Sequence, residues 1–278
     1  MQSKFNYKNQ FFKNGFFKIN DLFLKSDLKN LEKNLYDFAN QFAKKINHKF
    51  FQTKNLNNFN KFNKFCINLE KYNKEYFFNF ATLASNIFEI KKITLNNHLK
   101  QIASEVLDEN PNNLLFQHPT LLINVPNNKR ILYHWHNAKN SYPKRNKYLN
   151  LWFPVVKDKV ANNGTMEVAN KSHQNEYPFL ENKGFSENKK NALSQYLVPK
   201  EYLEDFKIEK VIAKLGSCLA MHPNLLHSST QNYTKNCSLV IIFKIWSIKN
   251  DLTLSSNIHQ KYFMNDNCSG PDVQKAKN

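Results

Sequence analysis

Glycine is scarce in this chain, at 5 of 278 residues, and acid is outnumbered, with 22 Asp and Glu against 40 Lys and Arg. Cysteine is equally sparse. Cys66, Cys218, Cys237 and Cys268 stand apart, with neither a C-x-x-C pair nor the regular spacing of a disulfide framework, which argues against a stapled secreted fold and for a reducing compartment. Cys218 and Cys237 could face each other on neighbouring strands, although small core residues are the simpler reading. No apolar run approaches membrane-spanning length, and the N-terminus alternates Phe with Lys and Asn instead of offering a signal-peptide core. A soluble, cytoplasmic protein without a membrane partner is the expectation.

The shortage of acid gives a formal charge of +18 and a pI near 9.6, a balance that can draw polyanions. Lysine is nevertheless scattered beside Asn, Ile and Phe in every segment, with no basic stripe, and A/T-rich codon usage accounts for that together with the few glycines. Nucleic acid is therefore not the expected partner. What the chain does have is aromatic residues, 14% in all with 24 Phe, which excludes a mostly disordered polypeptide. Its length is ample for one large core.

Two regimes of hydrophobic spacing follow one another. Phe11 to Phe23 is apolar with Gly15 as punctuation and predicts a short lead-in strand and turn. Helical spacing then runs through Leu28, Leu31, Leu35, Phe38, Phe42 and Ile46, with Ser26 as cap. It continues through Phe62, Phe65, Leu69, Tyr72 and Tyr76, and through Leu95, Leu99, Ile102, Val106 and Leu107 to a stop at Asn110-Pro111. After that come short β-branched and aromatic runs at Leu121–Val125, Arg130–Ala138, Leu149–Val155, Thr165–Ala169, Val211–Met221 and Cys237–Trp246, separated by turn signals such as Asn162-Asn-Gly164. Many short strands so spaced predict a mainly β, double-sheet jelly roll with a helical N-terminal layer. The expected organisation is one domain over 1–250, helical to about 112 and β thereafter, with a charged insertion at 174–207 and a polar tail at 251–278.

Within the second regime lies Tyr133-His-Trp-His-Asn-Ala-Lys-Asn-Ser-Tyr142, answered far downstream by His222-Pro-Asn-Leu-Leu-His227. On a strand, residues two apart share a face, so His-x-Asp with a distant histidine as third ligand is the sequence form of the facial triad that holds non-haem iron. His136 and His227 are the candidate metal ligands. Ala138 stands where the carboxylate is expected. His134 reads as a packed or supporting residue, His173 and His222 as structural, and His48, His98, His118 and His259 have no partner at ligand spacing.

The blocks Trp135-His-Asn-Ala-Lys-Asn-Ser-Tyr-Pro143, Leu149-Asn-Leu-Trp-Phe-Pro154, Asn162-Asn-Gly-Thr-Met-Glu-Val168, Ser172-His173 and Gly216-Ser-Cys-Leu-Ala-Met-His-Pro-Asn-Leu-Leu-His-Ser-Ser-Thr-Gln-Asn232 are together similar to the core of the phytanoyl-CoA dioxygenase family. The resemblance implies a double-stranded β-helix of the cupin type that binds Fe(II) and 2-oxoglutarate and oxidises a small organic molecule with oxygen. It also implies that His136 and His227 hold the iron, and that Trp152 and Ser229 line the 2-oxoglutarate pocket. Tyr133, Tyr142 and Arg145 are candidates for the substrate mouth. Three departures stand out: Ala138 replaces Asp, Asn170-Lys171 replaces Pro-Gly, and Ser238 occupies the position of the arginine that anchors 2-oxoglutarate. Lys235 is the candidate substitute cation. The gap at Ala138 admits water, a chloride ion as in related iron halogenases, an introduced substitution, or an inactive binding protein that keeps the jelly roll.

Overall fold

Asparagine caps divide the first part of the chain into short helices. In the computed structural model, which describes residues 6–46, 55–128, 132–139, 147–178, 180–182 and 195–250, Asn6 accepts the Asn9 N–H at 2.8 Å and opens α1 (Tyr7–Asn14). Gly15, left-handed at φ 85°, closes it, and a Cβ there would lie 2.5 Å from His173 Nδ1. Phe11 therefore belongs to a helix, and the expected lead-in strand shrinks to β1 (Phe16–Ile19). In α2 (Lys25–Ile46), which buries Leu28, Leu31 and Leu35, the first residue precedes Ser26, so that serine lies inside the first turn and is not its cap.

The pattern Phe62 to Tyr76 is two helices, α3 (Phe59–Tyr72) and α4 (Lys74–Ala84). Asn73 breaks them: it adopts an extended backbone, and its side chain accepts the Tyr76 N–H at 3.0 Å to cap the second. α5 (Phe88–Thr94), which the spacing did not predict, precedes α6 (Asn97–Leu107), and Leu95 is an exposed joint between them. No helix among the described residues is long and apolar enough to cross a membrane.

The strands are β2 (Leu114–Phe116), β3 (Thr120–Asn124), β4 (Tyr148–Val155), β5 (Met166–Ala169), β6 (Leu180–Asn182), β7 (Gln195–Leu197), β8 (Ile208–Lys210), β9 (Cys218–Met221), β10 (His227–Ser229) and β11 (Ser238–Ser247). One antiparallel sheet has the order β1-β9-β4-β11, with β2 and β3 both paired to the outer edge of β11. A second has the order β10-β5-β8, and β6-β7 is a separate hairpin. Side chains of both larger sheets line one cavity, the jelly-roll arrangement. The runs at Arg130–Ala138 and Val211–Met221 are not continuous strands: within 132–139 only His136 makes a bridge, and Val211–Ser217 is a connection between β8 and β9 with one isolated bridge, at Ala213, before a turn at Leu215-Gly216.

β4 and β11 are buried along nearly their whole length because each has two covered faces. Leu149, Leu151 and Phe153 on β4, with Leu239, Ile241 and Phe243 on β11, share a core with the helices, whereas Trp152 and Val240 pack with Leu219, Met166 and Val168 towards the opposite sheet. Period two thus gives every strand of this sheet one side for the helical layer and one for the site. β4 lies between β9 and β11, so Cys218 and Cys237 are not on neighbouring strands; burial raises the Cys66 thiol well above its ordinary pKa, and the Cys66 partner is Cys237. Cys268, His48, His259 and the tail at 251–278 lie outside the described residues, as does much of the 174–207 insertion.

Candidate active site

His136 and His227 face each other across an antiparallel bridge. Each backbone N–H donates to the other's carbonyl, at 3.1 and 2.9 Å, and the ring centroids are 4.3 Å apart. His227 does not trail β9 as the sequence suggested; it opens β10 in the opposite sheet, and the Pro223-to-Leu226 turn carries the chain across. The Nδ1–H of His136 donates to the His134 carbonyl at 2.5 Å, and that of His227 to the Leu225 carbonyl at 2.9 Å. A carbonyl can only accept, so the proton sits on Nδ1 and Nε2 keeps its lone pair on both rings. Burial pushes His136 down to about 4 and His227 to about 3, with Lys244 adding to the depression of both. Both imidazoles are neutral near pH 7.

This donor set fits ferrous iron: two neutral imidazoles whose second nitrogens are tied to backbone carbonyls, as in metal sites generally. The carboxylate is absent. Ala138 lines the same cavity, buried beside Tyr148 and Trp246, and among the described residues no cluster of three or more His, Cys, Asp or Glu side chains is placed to hold a metal. His134 is exposed and serves through its carbonyl, while His173 and His222 pack against each other under α1, with centroids 5.0 Å apart.

The cavity has a volume of about 460 Å³. Trp152, Ser229 and Tyr133 line it, the last with its ring 5.5 Å from that of His136. Ser238 is buried just behind the wall. Lys235 is exposed and is not among the lining residues, so the structure does not bring it to the site. Tyr142 and Arg145 fall outside the described residues.

Lys159 takes the place beside Ser238. Its side chain is only 1% exposed, it lines the cavity, and its Nζ contacts the Ser238 Oγ and donates to the Gly164 carbonyl at 3.2 Å. An isolated bridge to Ala213 draws this part of the chain inward, and burial brings the amine down to about 7. Sequence reasoning missed it because Lys157-Asp-Lys159 reads as a charged turn, and only the long-range pairing separates the inward lysine from Lys157, which lies over the Phe59 ring. Lys244 was missed too, although a signal existed: it is the one charge in the ten-residue apolar run of β11.

The sequence profile of the phytanoyl-CoA dioxygenase family matches residues 11–237. The chain belongs to the phytanoyl-CoA dioxygenase family. Its members are non-haem iron enzymes that depend on 2-oxoglutarate, and the expected fold, enzyme class and cofactors follow that membership. No curated protein matches the chain significantly. Among solved structures, EvdO2 from Micromonospora carbonacea var. aurantiaca complexed with 2-oxoglutarate is 13% identical with a TM-score of 0.55, over 88% of this chain and 91% of that one. The apo non-haem monooxygenase ThoJ is 15% identical with a TM-score of 0.56, over 87% and 77%. EctD from S. alaskensis, with 2-oxoglutarate and 5-hydroxyectoine, is 13% identical with a TM-score of 0.51, over 87% and 76%. At such identities the likeness concerns the jelly-roll fold, which this member of the phytanoyl-CoA dioxygenase family shares.

Proposed function

We propose that this protein oxidises a small organic substrate, using Fe(II) held by His136 and His227 and 2-oxoglutarate held by Lys159. The observation that carries the reading is the pairing of two cavity-lining imidazoles, each with Nδ1–H committed to a backbone carbonyl, in one cavity with a buried lysine beside Ser238. Iron and 2-oxoglutarate, when bound, supply the oxidising power of molecular oxygen. The chain's own part is positional. The His134 and Leu225 carbonyls hold the rings in one tautomer, Lys159 meets the distal carboxylate of the co-substrate, and Trp152 and Met221 give the chamber an apolar wall that excludes water. Ala138 offers no ligand atom on the cavity wall, so with iron bound a water could stand in for the missing carboxylate, and hydroxylation would then be the reaction.

Anaerobic Fe(II) titration and measurement of succinate formed from 2-oxoglutarate test this reading. A single Fe(II) is expected to bind, more weakly than at a site with a carboxylate; His136→Ala or His227→Ala abolishes binding, and Ala138→Asp strengthens it by returning an anionic oxygen. Metal binding that persists in both alanine variants sinks the assignment. A second reading, halogenation, is favoured by the placement of the Ala138 methyl in the same cavity wall as the two histidines. It predicts 2-oxoglutarate turnover that requires chloride or bromide and loses that requirement in Ala138→Asp. An inactive binding protein would show neither metal nor succinate.

A further inference from the structure

The cavity that holds the two histidines reaches solvent where the helical layer meets β3. Of the described residues that line it, Phe78, Thr82, His118 and Thr120 are the exposed ones, and all four belong to α4 or to the connection that leads from β2 into β3. Hydrogen bonds tie this rim together: Asn86 Nδ2 donates to the Thr82 carbonyl at 3.0 Å, and Asn86 Oδ1 accepts from His118 Nε2 at 2.7 Å. Behind the rim, the Leu121 N–H donates to Ser85 Oγ at 2.8 Å and fixes the end of α4 on β3. Among the described strands β3 pairs with β11 alone, so that bond marks its free edge as the one that meets α4.

α4 gives the passage an apolar wall. Phe77, Phe78, Ala81 and Thr82 all line it, and residues four apart on a helix stand one above the other, so Phe77 with Ala81 and Phe78 with Thr82 form two adjacent rows. Leu121 and Leu122 of β3 and Ile242 of β11 line the same cavity. In the register of β3 with β11, Thr120 lies opposite Ile242 and Asn124 opposite Ser238, which puts the rim roughly 13 Å along the strand from the end that Lys159 and Ser238 occupy. The co-substrate end and the entrance are therefore separate. None of the described lining residues is Asp or Glu, so the passage offers no counter-ion to a cationic group.

Resting on the iron and 2-oxoglutarate reading of the same chamber, we infer that the substrate enters over α4 and carries an apolar group, alkyl or aryl, that lies against Phe78 and Ala81 with Thr82 at the rim, while the carbon to be oxidised reaches the two histidines. Burial of apolar surface then drives binding, and the helical layer sets which substrates are accepted while the sheets hold the cofactors. The volume of about 460 Å³, which has to admit the co-substrate as well, keeps that group compact.

The test titrates straight-chain primary alcohols from butanol to octanol, and benzyl alcohol, into protein loaded with Ni(II) and 2-oxoglutarate. Affinity is expected to rise about four-fold per methylene until the chain fills the chamber. Thr82→Trp, which narrows the rim, and Phe78→Ala, which removes the aromatic wall, should each weaken the best-bound alcohol about five-fold or more. Leu83→Trp, at the exposed neighbouring position that does not line the cavity, should leave it unchanged. All three positions are exposed on α4, so the variants are expected to fold, and their urea midpoints check that. Tighter binding of benzyl alcohol than of the straight chains identifies an aryl group, and the reverse an alkyl one. Affinity independent of chain length, binding that survives both Thr82→Trp and Phe78→Ala, an equal loss in Leu83→Trp, or no alcohol bound by the wild-type protein each overturns the inference. If 2-oxoglutarate itself does not bind, the cofactor reading falls, and the same alcohol series on metal-free protein still reports on the α4 wall.

Discussion

A buried lysine that titrates near neutrality couples ligand affinity to pH, and Lys159 is such a residue, brought down to about 7 by burial. A bound dianion favours its protonated form, so above pH 7 binding of 2-oxoglutarate takes up a proton, and affinity falls as pH rises. Calorimetry in buffers of different ionisation enthalpy should register that uptake at pH 8, and Lys159→Met should remove it. The same variant should weaken 2-oxoglutarate by roughly ten- to a hundred-fold, the equivalent of a charge-assisted contact of about 1.5–3 kcal/mol. Lys235→Ala should leave the affinity unchanged, since its side chain is exposed. Stability carries the same signature. The folded pKa of Lys159 is depressed below its ordinary 10.5, so between about 7 and 10.5 the unfolded chain holds the extra proton and wild-type stability rises with pH relative to Lys159→Met. His136, His227 and the gap at Ala138 were singled out in the sequence by the His-x-Ala spacing and by the family resemblance of the blocks around them, and the structure brings the two rings together. Lys159 was not, because its burial depends on a bridge to Ala213 that no local pattern encodes.

Turns and caps decided where elements begin and end. Lys171, where the family usually carries glycine, has φ 67°, and its N–H donates to the Asn14 carbonyl at 3.1 Å just before the Ser172-His173-Gln174 turn. The left-handed region costs an L-residue about 1–2 kcal/mol, and the Lys171 side chain is exposed, so Lys171→Gly should stabilise the protein by ~1 kcal/mol despite the greater freedom of glycine in the unfolded chain. Urea unfolding measures it; a loss of stability would mean that the lysine stem contributes packing that outweighs the strain. The elements read correctly from sequence were those with a long signal, helical spacing in α2 and extended apolar runs in β4 and β11. Those misread turned on single residues: Asn73 divides one helical pattern in two, Gly15 ends a helix where a strand was expected, and β10, three residues long, is too short to stand out. Yet β10 carries His227, so the site depends on an element that only pairing with β5 reveals.

The helices and the larger sheet share one continuous apolar core, from Phe11 in α1 through Phe80 in α4 to Ile245 in β11, and α4 also supplies Phe77, Phe78 and Thr82 to the cavity wall. The helical layer is thus a structural support of the site, a role that periodicity alone could not assign because it shows which face is apolar and not what that face covers. The three tryptophans, Trp135, Trp152 and Trp246, all lie after the helices, so their fluorescence reports the β region while far-UV ellipticity at 222 nm is weighted to the helices. With one shared core the two signals should fall together in a urea titration. Phe80 is the sharpest probe of that coupling: it is fully buried, with Phe38, Phe42, Phe62 and Phe65 around it at ring separations of 5.7, 5.3, 6.3 and 5.2 Å. Phe80→Ala should cost about 3–5 kcal/mol, the range for a large aromatic removed from a packed interior. Because α4 backs β3 and lines the cavity, both transitions should shift to lower urea by the same amount. If ellipticity is lost early while tryptophan fluorescence holds, the helices unfold on their own and the β core keeps the site without them.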